Sequence, residues 1–342
     1  MACFLSDSAE SMTGPAEKVR LDFYRWVRRC GKLALGIFLK GLTMTIASLS
    51  PWVLRDHLFR WGDRTYVMGV LNVTPDSFSD GGLFNTVEAA INQAQQLLAA
   101  GVDLLDIGGQ SSRPGAEQIP IEAELRRVVP VIEAIRQSTD RELAQAVISV
   151  DTTQSEVARA AVRAGADIVN DISGGTFDAA MFSTVADLGV PIILMHLRGT
   201  PKTMQQNTHY SDLMGEIADF LERQVKTAQA AGLSHSQIAI DPGIGFAKRY
   251  PQNLEILREI PQLRGLQCPI LVGPSRKSFI GWLLNQPDPQ ARGWGTAAAC
   301  CAAIAGGADI LRVHDGQAMV EVCKVADAIW RQRLPDYCRA TD

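Results

Sequence analysis

Arg312 and His314 stand two positions apart at the end of an apolar run that begins near Ala308. Side chains alternate across a β-strand, so a guanidinium and an imidazole at this spacing share one face, while Leu311 and Val313 share the other. A parallel strand that is buried on both faces is normally apolar throughout. Burying two such groups is costly unless an anion or a hydrogen-bonding partner meets them. The pair therefore predicts an anion-binding site.

Other side chains with catalytic or ligand-binding chemistry follow apolar runs in the same way. They are Asn72, Asp151, Asn170, Asp171, His196, Asp241, Arg276 and Lys277. A lone aspartate after a strand is more often a helix cap or a turn residue. Here, however, many polar residues all stand at or near the carboxyl ends of their predicted strands. This arrangement predicts a shared site at one rim of the fold.

Two loops at the same predicted rim are rich in glycine, serine and proline. One spans residues 72–82 and the other residues 108–115, where Arg113 precedes Pro114. Non-periodic loops of this composition are typical of active-site loops, although ordinary surface turns have a similar composition. Because Arg113 lies at the same rim as Arg312, we favour loops that close over a charged substrate.

The polar residues are positioned by eight short apolar runs, which we predict as β-strands. The runs cover residues 66–73, 104–109, 146–152, 168–173, 191–196, 238–243, 269–275 and 309–315. Helical patterns lie between them at 86–100, 121–136, 154–164, 211–231 and 296–305. Strands that alternate with helices eight times predict an α/β fold with a parallel sheet. At this length, an eightfold (β/α) TIM barrel fits better than an open doubly wound sheet. The first strand and first helix also lack the GxGxxG motif of dinucleotide-binding folds.

Composition narrows the function classes. The chain has 342 residues and a formal net charge of −4, so it lacks the basic balance of a nucleic-acid-binding protein. Its seven cysteines show no paired CxxC spacing, which favours reduced thiols in a cytoplasmic protein.

The first 60 residues differ in character from the rest. Their apolar run is interrupted at Lys40, well short of the ~20 residues that span a bilayer, so we expect no membrane anchor. We predict an N-terminal extension over 1–60, either loosely attached or disordered, or the product of a start codon assigned too far upstream. We place the barrel at 61–335 and a short tail at 336–342.

Seven motifs, taken together, resemble the dihydropteroate synthase family, the folate-pathway enzymes that sulfonamide drugs inhibit. In chain order they are MGVLNVTPDSFSD from Met68, DIGGQSSRPG from Asp106, SVDT from Ser149, NDI from Asn170, DPGIGF from Asp241, SRKS from Ser275 and RVHD from Arg312. Gln110 stands where this family usually has glutamate, Ser112 where it has threonine, and Gly316 where it has an apolar residue. Ser112 is the departure that could alter affinity for the arylamine or for sulfonamides.

The resemblance implies a reaction and a set of site residues. The family condenses 6-hydroxymethyl-7,8-dihydropterin diphosphate with 4-aminobenzoate in a dissociative displacement, forming 7,8-dihydropteroate and pyrophosphate. By resemblance, the pterin would be read by Asp151, Asn170, Asp241 and Lys277. The diphosphate would bind Asn72, Arg312 and His314, with Asn72 as the protein ligand of Mg²⁺. The aminobenzoate would contact Ser112, Arg113, Pro114, Phe246, Lys277 and Ser278.

The residues implied in catalysis are Asp80, Asp151, Asp241, Lys277 and Arg312, of which Asp80 would order the first loop or take up charge. The resemblance further implies a homodimer, with the last helices around residues 318–331 as interface candidates. Two other functions stay open from the residues. One is a pterin-binding methyltransferase barrel, which has no need of the Arg312 and His314 anion site. The other is a non-catalytic module that has kept only the pterin pocket.

Overall fold

The computed structural model describes residues 49–74, 83–334 and 338, without the side chains of residues 83–86. Asp80 and the predicted extension over residues 1–48 therefore lie outside the described residues. Residues 49–60 were also predicted as extension, but they form part of the same compact unit as the barrel. The prediction of a separate extension therefore stands only for the residues before 49.

Eight parallel strands form a barrel, which confirms the predicted fold. The chain first forms a two-stranded antiparallel hairpin of β1 (Trp52–Leu54) and β2 (His57–Phe59). The barrel strands are β3 (Tyr66–Asn72), β4 (Leu104–Gly108), β5 (Val147–Asp151), β6 (Ile168–Asp171), β7 (Ile192–Met195), β8 (Ile238–Asp241), β9 (Leu271–Val272) and β10 (Ile310–Val313). Their order is β8-β7-β6-β5-β4-β3-β10-β9, and a parallel bridge between Ile240 and Ile270 closes the ring.

Helices follow the strands around the outside of the barrel. They are α1 (Leu83–Ala99), α2 (Ile121–Arg136), α3 (Arg141–Gln145), α4 (Ser155–Ala164), α5 (Met181–Leu188), α6 (Leu213–Ala230), α7 (Tyr250–Glu259), α8 (Ser278–Leu284), α9 (Gly293–Gly306) and α10 (Gly316–Trp330). Gly165 and Gly307 end α4 and α9 with positive φ angles of 121° and 94°, as helix-terminating glycines do. The helical patterns named from the sequence do not include α3, α5, α7 or α8; of these, α3, α5 and α8 have only 5 to 8 residues, too few turns to show a clear period.

The outward faces of the strands pack against these helices in the main hydrophobic core. On β10, Leu311 and Val313 are fully buried in that core, so Arg312 between them faces the barrel interior, as the alternation predicted. No helix in the described ranges is long and apolar enough to cross a membrane.

The inward faces begin with an apolar layer at the lower end of the barrel, where the strands start. The first barrel strand, β3, contributes Tyr66 and Met68 to this layer. Each of the other strands contributes one residue: Leu104, Val147, Ile168, Ile193, Ala239, Leu271 and Ile310. Trp52, Phe59 and Trp61, from the hairpin and the turn after it, pack against the layer from below. The lower end of the barrel is therefore a closed hydrophobic core, which leaves the upper end for chemistry.

Candidate active site

A polar layer lies directly above the apolar one, because the next inward residue of a strand is two positions further along. On β4, Leu104 is followed inward by Asp106, and on β10, Ile310 is followed by Arg312. Asn170 holds the same position above Ile168 on β6. This polar layer brings side chains from strands far apart in the sequence into one buried cluster.

Arg312 is the centre of the cluster. Its Nε donates to Asp106 Oδ2 at 2.6 Å, and its Nη2 donates to Asp151 Oδ2 at 2.9 Å. Asn170 Nδ2 also donates to Asp106 Oδ2, at 3.2 Å. The anion that a buried guanidinium requires is thus supplied by two carboxylates of the chain itself. The predicted binding of a diphosphate by Arg312 stays a prediction, because these two carboxylates leave some of its N–H donors unused.

Asp106 is the residue of this cluster that the sequence reading missed. It is fully buried, and it stands inside the apolar run of β4 as Arg312 stands inside that of β10. From the sequence, Asp106 was named only as the first residue of the DIGGQSSRPG motif. The same test that singled out Arg312, a charged residue on the inward face of a buried strand, would have found it.

The carboxylates and the lysine of the pocket have shifted ionisation. Burial raises the pKa of Asp241 to about 6, although the Gly243 N–H and the Lys277 charge oppose the shift. Burial also raises the pKa of Asp151, against the attraction of Arg312. Burial, together with repulsion from Arg312, lowers the pKa of Lys277 to about 8. Such opposed shifts in one pocket are typical of a site that binds polar ligands.

Lys277 and Phe246 come together from the loops after β9 and β8. The Lys277 Nζ lies 4.1 Å from the centroid of the Phe246 ring, a cation–π contact. Gly245 has a φ of +83°, and a Cβ there would lie 3.0 Å from Lys277 Cδ, so this glycine lets the two loops approach closely. Ser278 is exposed at the start of α8, next to Lys277 in the chain.

The loop after β10 is joined to the loop after β9. His314 donates its backbone N–H to Ser275 Oγ at 3.2 Å, and its Nδ1 lies 3.0 Å from the same oxygen. Arg276, which adopts a left-handed φ of 58°, forms a two-point ion pair with Asp315. Asp315 therefore fixes the Arg276 side chain. Burial and the neighbouring cations lower the pKa of His314 to about 3, so its ring is neutral.

The second rim loop begins beside the cluster, where Gly108 pairs in register with Asp151, and its tip is exposed. Ser112 is half-buried, whereas Arg113 and Pro114 are exposed, and the loop contacts the segment after β7 through the Gly115 N–H to Pro201 O bond. Gln110, one of the departures from the family pattern, accepts from the Ile119 N–H at 3.0 Å and so ties the two ends of the loop together.

The first rim loop is described only at its start. Asn72 ends β3 with a half-buried side chain, and it pairs in register with Gly108 at the end of β4. Among the described residues no group of three His, Cys, Asp or Glu side chains could hold a metal ion. Any cation at Asn72 would therefore take most of its ligands from substrate and water, as Mg²⁺ commonly does.

Comparisons of the sequence and the structure with known proteins identify the family of this chain. Residues 68–314 match the family model described as pterin binding enzyme. The chain is 57% identical over 281 residues to a dihydropteroate synthase of Synechocystis sp., across 82% of this chain and 96% of that protein. It is 44% identical to the Bacillus subtilis dihydropteroate synthase, across 78% and 89%. A solved Xanthomonas albilineans dihydropteroate synthase with 4-aminobenzoic acid superposes with a TM-score of 0.76, at 42% identity, across 84% of this chain and all of that one.

Proposed function

The chain belongs to the family of pterin-binding enzymes, and we propose how its residues divide the chemistry of dihydropteroate synthesis among them. The reaction is the condensation of 6-hydroxymethyl-7,8-dihydropterin diphosphate with 4-aminobenzoate, which gives 7,8-dihydropteroate and pyrophosphate. The observation that carries the division of roles is the buried cluster of carboxylates, amide and cations at the upper end of the barrel.

Pterin recognition is assigned to the polar layer and its nearest neighbours. A pterin presents an aminopyrimidinone edge with several N–H donors, a ring nitrogen and a carbonyl. Asp151 and Asp241 would accept from the donors, while Asn170 can both accept and donate. Lys277 would donate to the carbonyl and ring nitrogen. Burial strengthens these contacts, because Asp151, Asn170 and Asp241 are at most 7% exposed.

The diphosphate is assigned to Arg312 and His314. A guanidinium carries five N–H donors, and Asp106 and Asp151 each take one, so Arg312 keeps donors for phosphate oxygens. In the displacement, the bond between the pterin methylene carbon and the diphosphate oxygen breaks first. The amine nitrogen of aminobenzoate then bonds to that carbon and loses a proton. Asp151 and Asp241 would favour the positive charge on the pterin, and Arg312 the negative charge on the departing pyrophosphate. Asp80 stays a proposal for ordering the first loop.

Aminobenzoate is assigned to the loops around Lys277. Phe246 would pack against the aryl ring, and Ser278 with Lys277 would hold the carboxylate. Ser112 and Arg113 would reach it by closure of the second loop, whose tip is exposed. The 4-aminobenzoic acid held by the Xanthomonas albilineans enzyme supports a site of this kind. Phe246→Ala should raise KM for aminobenzoate at least ~tenfold while KM for the pterin diphosphate changes little.

Asn72 is the residue we assign to Mg²⁺. An amide oxygen is a suitable hard ligand, and a single protein ligand fits a cation whose other ligands come from diphosphate and water. When bound, the cation would add positive charge beside the leaving pyrophosphate. Asn72→Ala should raise the Mg²⁺ concentration needed for half-maximal activity, with little change in pterin affinity.

We also propose a homodimer, with α10 at its interface. Val325 and Ile329 lie one helical turn apart on α10 and are 63% and 62% exposed, and Trp294 on the neighbouring α9 is 90% exposed. Sedimentation velocity should give a dimer for the wild-type chain and a monomer for the Val325→Glu/Ile329→Glu double variant. A monomeric wild-type chain would refute the dimer.

The cell location is also a proposal. Cys268, Cys300 and Cys323 are buried thiols that form no disulfide, which supports a cytoplasmic protein. Cell fractionation tests this proposal.

One assay tests the function itself. The purified chain is incubated with the pterin diphosphate, aminobenzoate and Mg²⁺, and both pyrophosphate and dihydropteroate are measured. We expect equal amounts of the two products, and omission of aminobenzoate should abolish dihydropteroate. A pterin-binding module would bind the pterin and release no pyrophosphate. A methyltransferase barrel would likewise leave the diphosphate intact.

A further inference from the structure

Lys248 is a buried charged residue that the roles assigned above do not use. It lies in the segment between β8 and α7, and only 2% of it is exposed. Its Nζ lies 2.9 Å from His196 Nδ1 and donates to the carbonyl oxygen of Phe246, also at 2.9 Å. An ammonium in such a position is expensive to bury, and an apolar side chain would fill the same space at lower cost. Its retention calls for a role that an apolar residue could not perform.

The environment of His196 allows its ring to accept a hydrogen bond from Lys248. It is 1% exposed, and its ring packs edge-on against Phe220, with centroids 5.0 Å apart. Burial and the Lys248 charge lower the pKa of His196 to about 2, so the imidazole is neutral and its Nδ1 can act as an acceptor. Lys248 is in turn attracted by Asp241, while burial lowers the pKa of its ammonium to about 7.

The segment that Lys248 holds carries residues assigned to both substrates. Asp241 stands at its start, and Phe246 lies two residues before Lys248. The Asp241 end is fixed by other bonds: its backbone carbonyl accepts from the His196 N–H at 2.9 Å, and its carboxylate accepts from the Gly243 N–H at 2.7 Å. The Phe246 carbonyl has Lys248 as its side-chain donor. Loss of the ammonium would therefore free the backbone at Phe246 more than at Asp241, although it would also remove a charge that lowers the pKa of Asp241.

We propose that Lys248, held by His196, is a positioning residue for the arylamine subsite: it fixes the backbone of Phe246 so that the Phe246 ring lies under Lys277. Lys277 is the next link, since its Nζ contacts the Phe246 ring at 4.1 Å. The line of contacts runs from His196 through Lys248 and Phe246 to Lys277. Removing the ammonium would leave two buried acceptors, His196 Nδ1 and the Phe246 carbonyl, without their donor, and the loop would move to rehydrate them. This inference rests on the proposed assignment of Phe246 to aminobenzoate.

The test is the ratio of two Michaelis constants in Lys248→Met, which keeps the length of the side chain and removes its charge and donors. We expect KM for aminobenzoate to rise about tenfold, while KM for the pterin diphosphate stays within about twofold of the wild-type value. A residue with a merely structural role would lower the melting temperature and leave this ratio unchanged. Lys226→Met is the matched control, because Lys226 makes one exposed ion pair with Glu222 on α6, and it should change neither constant.

His196→Phe gives an independent readout and serves if Lys248→Met does not fold. It removes the acceptor and keeps an aromatic ring beside Phe220, so KM for aminobenzoate should rise in the same direction by a smaller factor. In the double variant the two effects should not multiply, because both act through one contact. An unchanged ratio in the folded single variants, or fully multiplicative effects, would overturn the inference and leave the proposed function standing. An unchanged KM for aminobenzoate in Phe246→Ala would overturn both this inference and the assignment on which it rests.

Discussion

The lower and upper halves of the barrel interior are built by the same strands, yet they have opposite character. Leu104 and Ile310 lie in the lower layer with at most 1% exposure, and two residues further along the same strands Asp106 and Arg312 form an ion pair. The backbone is regular through both layers. The contrast therefore comes from side chains alone, and it separates the part of the barrel that stabilises the fold from the part that performs chemistry.

The upper layer carries an energetic cost that the lower layer does not. Asp106 Oδ1 and Ser149 Oγ are buried without a hydrogen-bond partner among the described residues, and these two residues pair in register on neighbouring strands. An unsatisfied buried polar atom costs about 1–3 kcal/mol. The upper layer therefore contributes less to stability, for the area it buries, than the lower layer does.

The largest effect on activity is expected for Lys277→Met. It removes the donor assigned to the pterin carbonyl and to the aminobenzoate carboxylate, so kcat/KM should fall by roughly 10³-fold. The free energy of unfolding should stay the same or rise, because a buried ammonium is replaced by an apolar side chain. Pyrophosphate release and urea denaturation measure the two quantities. If the free energy of unfolding fell together with kcat/KM, the upper half of the barrel would be needed for stability as well as for chemistry, which would contradict the comparison.

The matching change in the lower layer is Leu104→Ala. Removing a fully buried leucine leaves a cavity, and we expect the free energy of unfolding to fall by about 2–5 kcal/mol. At a temperature where the variant is folded, kcat/KM should stay within about threefold of the wild-type value. A selective loss of kcat/KM in the folded variant would show that the lower layer takes part in the chemistry.

The upper layer also predicts a bell-shaped pH dependence. Asp241 must be ionised to accept from the pterin, and its pKa is raised to about 6, so kcat/KM should fall as pH drops below that value. Lys277 must be protonated to donate as a cation, and its pKa is lowered to about 8, so kcat/KM should also fall as pH rises above that value. Lys277→Arg should move the alkaline limb to higher pH and leave the acid limb in place. An alkaline limb that does not move would assign it to another group.

Among the changes in the upper layer, Asp106→Asn is expected to lower kcat/KM the least. The amide oxygen still accepts from Arg312 Nε, but one of the two negative charges beside the guanidinium is lost. Because Asp151 still holds Arg312, kcat/KM should fall only about tenfold. A fall as large as that of Lys277→Met would mean that Asp106 contacts the substrate directly.

The eightfold barrel could be predicted from the sequence because its signal is periodic and repeated. Buried strands read as short apolar runs, and glycines such as Gly165 mark the ends of helices. The inward position of Arg312 also followed from simple alternation. The short helices hold too few turns to show a clear period, and the hairpin below the barrel has only three residues in each strand. The inward position of Asp106 follows from the same alternation as that of Arg312, although Asp106 was not among the predicted site residues.

The sequence by itself determined which residue types stand at the ends of which strands, and hence the family, the fold and the set of candidate side chains. Only the tertiary structure decided which of them meet. Asp106 and Arg312 are separated by 206 positions and come together because β4 and β10 both flank β3 in the closed ring. Likewise, Lys248 reaches His196 only because β7 and β8 are neighbours. Alternation along a strand is local and can be predicted from the chain, whereas a contact across the barrel depends on closure of the whole ring.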